Sequence, residues 1–297
     1  MRIKIIKKKS LFFLYLNMAS SFNLRLKKFD MKWIKDDSVV VFIGKRNTGK
    51  TFLTLDLLYH HQDLPIGTVI SATEGANQTY SKIVPPLFIH EAYTPELVEK
   101  VIRRQKLINY KKSNDSNYSN IDSRAFLLLD DCMFDTKWTK DTNIRYAFMN
   151  GRHQKLFFIM TMQYIMGIPP QLRSNVDYVF ILRENMFQNR KRIYEQYAGM
   201  FPTFDIFCQV MDSCTENYEC LVIHNGSKSN KLQDQVFWYK ASDHPDFRLC
   251  LDHFWQKSAS EYNPRHHLNP LDIQDEDDEG HSGKKKNAIM VNLRKDY

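Results

Sequence analysis

Eight residues decide much of what this chain can become: Gly44-Lys45-Arg46-Asn47-Thr48-Gly49-Lys50-Thr51, which fit the pattern G-x-x-x-x-G-K-[ST]. They lie between residues 38–43 (SVVVFI), a β-branched apolar run suited to a strand covered on both faces, and a helical stretch from Lys50 to about His61. In that setting the glycines let the backbone wrap tightly and aim its N–H groups at phosphate oxygens, while the aligned peptide dipoles add partial positive charge. Lys50 is placed to reach the β- and γ-phosphates of ATP. The Thr51 hydroxyl is placed to ligate Mg²⁺, a hard cation that takes oxygen ligands.

A phosphate cradle needs a carboxylate beside the metal, at the carboxyl end of a neighbouring strand. Asp130 and Asp131 end the apolar run 125–129 and meet that need, Asp130 in the metal shell and Asp131 as the base that polarises the attacking water. Two acids ending a strand can also cap a following helix, and that alternative stays open here. Gln163 follows another apolar run, 156–161 (LFFIMT), where a neutral amide can bond both the γ-phosphate and the water; a buried structural glutamine is the plainer reading. Arg152 and Arg173 are the candidates for neutralising charge on the transferring phosphoryl group, and either can equally be a solvated surface arginine.

Elsewhere, period-two alternation at residues 22–27 predicts an accessory edge strand, and residues 67–72, 87–90 and 176–182 read as further strands. A helix opens at Pro95. Its Arg103, Arg104, Lys106, Lys111 and Lys112 gather towards an outer face, followed by a Ser/Asn/Asp-rich loop at 113–123; together these form a candidate pore-facing element or simply a solvated face. Residues 219–224 and 235–239 predict a terminal hairpin, and residues 247–255 a closing helix. Strands alternating with helices of ten to fifteen residues imply an α/β fold with a mostly parallel sheet, helices on both faces, and a C-terminal hairpin plus helix. The chain divides into a basic N-terminal segment with an accessory strand (1–34), a P-loop domain (35–262) and a disordered charged tail (263–297).

The net charge of +8 favours polyanionic partners. Five cysteines without zinc-type spacing are expected as free thiols in a reducing compartment. Lys7, Lys8 and Lys9 before the apolar run 11–16 outline a signal peptide, but the run is short and an ATP site follows closely; a start at Met18 is equally consistent. No later stretch approaches the roughly 20 apolar residues of a spanning helix, so an integral membrane protein is not expected. A GTPase is disfavoured because no N-K-x-D and no glycine two residues beyond Asp130 appear. A nucleoside or nucleotide kinase with Arg183, Arg190 and Arg192 as its lid stays as the alternative enzyme, and a nucleotide-gated capsid or membrane assembly protein as the non-motor alternative.

The ordered set G-K-R-N-T-G-K-T, L-L-L-D-D, N-G-R-H at 150–153, T-M-Q-Y at 161–164 and P-P-Q-L-R-S-N-V-D-Y at 169–178 resembles the genome-packaging ATPases of large nucleocytoplasmic DNA viruses, in the FtsK-HerA group. The resemblance spans residues 39–239. It implies a RecA-like core with an additional strand and catalytic acid, a homo-oligomeric ring, and double-stranded DNA as the translocated substrate. It also implies capsid or portal-like vertex proteins as partners, and a location at the viral assembly site in the host cytoplasm and in the virion. Carried over by position, Lys50 and Thr51 hold phosphate and Mg²⁺, Asp130 and Asp131 form the metal-and-base pair, Gln163 is the sensor, and Arg152 and Arg173 fall in the arginine-bearing stretches. Many relatives of the wider group have Glu where this chain has the shorter Asp131.

Overall fold

The computed structural model describes residues 3–8, 11–16, 23–132, 136–163 and 167–262. The expected tail at 263–297, the alternative start at Met18 and the first residue of the accessory strand, Phe22, lie outside the described residues.

The elements run in the order β1 (Ile3–Lys8), β2 (Leu11–Leu16), β3 (Asn23–Lys28), β4 (Val39–Ile43), α1 (Lys50–Tyr59), β5 (Gly67–Ser71), α2 (Glu74–Asn77), β6 (Ile89–His90) and α3 (Pro95–Asn114). They continue with β7 (Ala125–Asp130), α4 (Thr142–Asn150), β8 (Leu156–Met162), α5 (Pro170–Arg173), β9 (Tyr178–Ile181), α6 (Phe187–Tyr197), α7 (Phe204–Cys214), β10 (Glu219–His224), β11 (Val236–Lys240) and α8 (Asp252–Glu261). All strands join one sheet in the order β1-β2-β3-β11-β10-β9-β4-β8-β7-β5-β6. The six strands from β9 to β6 are mutually parallel.

Strand β4 shows why the chain folds this way. All five of its residues are buried. Val39, Val41 and Ile43 face a core built with Val98 and Val101 of α3 and Ile144 of α4, while Val40 and Phe42 face one built with Leu53 and Leu57 of α1. Side chains alternate across a strand, so a continuous β-branched run satisfies two apolar layers at once. That two-sided covering fixes the register of β4 between β8 and β9, and with it the point at which the P-loop leaves the sheet.

Several expectations are corrected in detail. The accessory strand β3 is not an edge: it lies between β2, antiparallel to it, and β11, parallel to it. The apolar run 11–16 is itself strand β2. The C-terminal hairpin is present as β10–β11, and it is built into the sheet: β10 pairs antiparallel with β9 and extends the sheet outward from the parallel core. The closing helix begins at Asp252 and not at 247. Residues 249–251 are tied to neighbouring stretches of the chain by backbone bonds from Leu249 to Ile83, Cys250 to Leu64 and Leu251 to Pro65, and Cys250 sits at a left-handed φ of 71°, which a helix cannot contain.

The basic helix α3 is capped by Thr94 with Pro95 at its first turn, and it runs through Ser113 to Asn114. Arg104 does not point outward: its guanidinium is buried beside Cys250, and burial pulls its pKa down to about 10. Lys106 lies over the Tyr146 ring, Lys111 over Tyr118, and Lys112 donates to the Ile121 carbonyl at 2.7 Å. The first contact joins α3 to α4, and the other two fasten the 115–121 loop back onto the helix. Among the described residues, no helix is long and apolar enough to cross a membrane, and Cys132, Cys208, Cys214, Cys220 and Cys250 are all free.

Candidate active site

The loop between β4 and α1 adopts the geometry its glycines permit. A Cβ on Gly44 would stand 2.6 Å from Thr48 Oγ1 and 2.9 Å from Leu182 Cβ, and Gly49 has a φ of 98°, so neither position accepts a side chain without a shift. Asn47 is also left-handed at 59°. Thr48 Oγ1 donates to the Lys45 carbonyl at 2.8 Å, closing the loop on itself. Lys45 forms an ion pair with Glu184, a buried acid just beyond β9 that also accepts from the Met186 amide and Asn189.

Lys50 is buried, and its Nζ donates to the carbonyls of Gly44 at 3.0 Å and Lys45 at 3.2 Å. The same ammonium stands 3.2 Å from Asp131 Oδ2. Gln163 Nε2 donates to that same oxygen at 3.0 Å. Three residues from three separate stretches, predicted independently for one site, therefore meet on a single carboxylate. Gln163 is exposed, which sets aside the reading of a buried structural glutamine.

Asp130 is fixed from two neighbouring strands. The register pairs it with Thr161 of β8 and Ser71 of β5, whose hydroxyls donate at 2.7 Å and 3.1 Å to its two oxygens. Burial pushes its carboxyl above the ordinary value, against the opposing hydroxyl donation from Thr161. Asp131 takes a left-handed φ of 48° and its amide donates to Thr161 Oγ1 at 3.0 Å. That turn throws its side chain towards Lys50 while Asp130 stays in the sheet. The two acids do not serve as a helix cap, since α4 is capped by Asp141.

Sequence reasoning missed Thr161, Ser71, Glu184 and Tyr218. The first two carried a usable signal, a hydroxyl at the carboxyl end of an apolar strand. Tyr218 is 70% exposed at the start of β10 and its ring would lie 3.3 Å from a Cβ on Gly49. No local pattern places it there.

Arg152 and Arg173 are not brought to this site. Arg152 pairs with Asp177 at 2.6 Å, and Asp177 in turn accepts from the Val39 amide at 2.8 Å, so Arg152 sits at the amino ends of β4 and β9. The P-loop leaves from the carboxyl end of β4, about 15 Å away along a five-residue strand. Arg173 donates to the Ile168 carbonyl and Gln196 and lies over the Tyr197 ring. Of the arginines of the alternative kinase lid, Arg190 is tied to Asp212 and the Glu184 carbonyl, and Arg183 to Asn185. His60 stands with Asp56 and His244 in a cluster whose donor atoms lie within 4.8 Å of one another.

The donor set around the P-loop, the Thr51 hydroxyl with the Asp130 and Asp131 carboxylates, consists of hard oxygen atoms and fits Mg²⁺. With the amide-lined cradle and Lys50, the arrangement can hold a triphosphate and place a base beside its terminal phosphorus.

A family model described as "Poxvirus A32 protein" matches residues 26–243. An uncharacterized protein of Acanthamoeba polyphaga mimivirus is 37% identical over 273 residues, covering 91% of this chain and 96% of its own length. One of Invertebrate iridescent virus 6 is 38% identical over 241 residues, covering 78% and 89%. Among solved structures, the genome packaging NTPase B204 from Sulfolobus turreted icosahedral virus 2 in complex with sulfate aligns with a TM-score of 0.50 at 17% identity, over 71% of this chain and 100% of its own. That likeness carries the P-loop α/β fold.

Proposed function

This chain belongs to the Poxvirus A32 protein family, and on that premise we propose that it is an ATP-hydrolysing DNA translocase that packages viral double-stranded DNA into the capsid. The observation that carries the reading is the Asp131 carboxylate shared by Lys50 and Gln163. A packaging role agrees with that of the fold neighbour, a genome packaging NTPase.

In the proposed reaction, the P-loop amides and Lys50 hold the β- and γ-phosphates, and Asp131 accepts a proton from the attacking water. Gln163, within hydrogen-bond reach of Asp131, orients that water and senses the γ-phosphate. Thr51 and Asp130 would hold Mg²⁺, which when bound neutralises the negative charge of the phosphates. Thr161 and Ser71 keep Asp130 in place at the strand ends. Neither candidate arginine reaches the pocket of its own chain, so the proposed ring supplies one from a neighbouring subunit. Arg152, 59% exposed, is the more open to a neighbour. The partners proposed are duplex DNA, gripped through phosphates without reading its bases, and capsid or portal-like vertex proteins at the assembly site in the host cytoplasm.

The test is ATPase activity of the purified chain with Mg²⁺, measured against duplex length and ionic strength. Long duplex should raise the rate, and the stimulation should fall steeply as salt rises, because phosphate contacts release counterions. Hydrolysis indifferent to DNA at low salt would favour a nucleotide-gated assembly protein. Transfer of the phosphoryl group to a nucleoside or nucleotide would favour a kinase.

A further inference from the structure

Phe52, Leu55, Asp56 and Tyr59 of α1 are spaced i, i+3, i+4 and i+7, so they form one stripe along the helix. A strap, residues 241–251, crosses this stripe after β11. On the helix it is fastened at the far half: His244 stacks on Tyr59 with centroids 3.8 Å apart, Phe247 packs edge-on against Tyr59, and the wholly buried Asp56 carboxylate bonds His244 and accepts from Tyr239 at 2.6 Å. Over the first turn the strap stands off and leaves a groove of about 740 Å³, lined by Phe52 and Leu55 on the helix side, Asp243 and Pro245 on the strap side, and Thr79 and Lys82 beyond. Phe52 is 43% exposed there and follows Thr51 directly.

We propose that this groove seats the adenosine half of ATP, with Phe52 as the face on which the purine stacks. The proposal rests on the ATPase reading of the P-loop and says where the nucleoside goes once the phosphates are held. The phosphates occupy the amides at the start of α1, so the nucleoside must leave the loop past its first turn. The route past Phe52 enters a preformed cavity. An exposed aromatic ring beside that route offers a purine an apolar face, and the strap supplies polar groups at the other wall, in keeping with the mixed lining of nucleotide sites. The fastening through Asp56 makes the groove a fixed feature: the strap cannot fall onto Phe52 while His244 is stacked on Tyr59.

The alternative platform is Tyr218, whose ring lies beside Gly49 on the other side of the loop. The strap geometry favours Phe52, because Phe52 opens into a groove with two walls.

The test compares Phe52→Ala, Phe52→Trp and Tyr218→Ala with the wild-type chain in steady-state ATP hydrolysis, with inorganic tripolyphosphate as a competitor that has phosphates but no base. Phe52→Ala should raise the KM for ATP about tenfold with kcat little changed, Phe52→Trp should restore it, and the inhibition constant of tripolyphosphate should stay at the wild-type value. An unchanged KM, a loss that falls on Tyr218→Ala instead, or a tripolyphosphate constant that shifts in step overturns the groove assignment while leaving the ATPase reading intact. A wild-type chain that does not hydrolyse ATP overturns the ATPase reading and with it the premise of the groove.

Discussion

Lys50 Nζ stands 3.2 Å from Asp131 Oδ2 while donating to the Gly44 and Lys45 carbonyls, so the P-loop and the end of β7 are joined through one ammonium. The ion pair holds the acid at the phosphate cradle. It also separates two kinds of defect. Asp131→Asn keeps the cradle and Lys50 and should lower kcat by about 10²–10⁴ with nucleotide binding retained. Lys50→Ala should lose both. Fluorescent-nucleotide titration beside turnover distinguishes them, and undiminished turnover in Asp131→Asn would refute its role as base.

Gln163 is exposed, and its side chain donates a hydrogen bond to Asp131. Gln163→Ala should therefore leave the thermal midpoint within about 1 °C of wild type, since surface changes cost little. It should lower kcat about ten- to hundredfold at unchanged KM, the signature of a contact that matters in the transition state. A stability loss without a rate loss would make it a structural residue.

Asp56 carries a different burden. Its side chain is wholly buried, and it ties α1 to Tyr239 of β11 and to His244 of the strap. Asp56→Ala leaves a buried phenol without its acceptor and should cost about 3 kcal/mol in urea denaturation, with Asp56→Asn, which keeps an acceptor for Tyr239, costing about half as much. Equal losses in the two variants would assign the effect to charge alone.

Asp36 bonds His61 Nδ1 and Arg124 Nη1, both at 2.5 Å. The His61 bond foremost, then Arg124, outweigh burial and hold its carboxyl below the ordinary 3.8. A folded value below the unfolded one adds stability that is present in full above the ordinary carboxylate range and is lost as pH falls through the lowered value. Arg124→Met should therefore reduce stability by about 1 kcal/mol near neutral pH and flatten the fall of the midpoint on the acid side. Parallel acid limbs for the two proteins would contradict this.

How much of this was legible in the sequence varies with the kind of residue. The P-loop, the Asp130–Asp131 pair and Gln163 were each readable because each follows an apolar run that could only be a covered strand, and parallel strands place their carboxyl ends together. The arginines were less readable. Arg152 and Arg173 were chosen for their chemistry and for the arginine-bearing stretches in which the family resemblance places them, and the topology puts Arg152 at the amino ends of the strands and locks Arg173 against Gln196 and Tyr197, away from the P-loop of their own chain. Arg104 went wrong for a related reason. A basic stripe on a helix reads as solvated, but the returning strap covers this one with Cys250, from 146 residues further along the chain.

The sequence by itself determined the strands of the parallel core and the two halves of the candidate site, since those depend on local periodicity, on glycine's freedom at φ 98°, and on acids at strand ends. Only the tertiary structure decided which hydroxyls hold Asp130, which residue fastens the strap, and where each arginine is held. Those contacts join residues such as Asp56 and His244, 188 positions apart. Their meeting is set by strand order and chain reversal, which the one-dimensional spacing of residues does not encode.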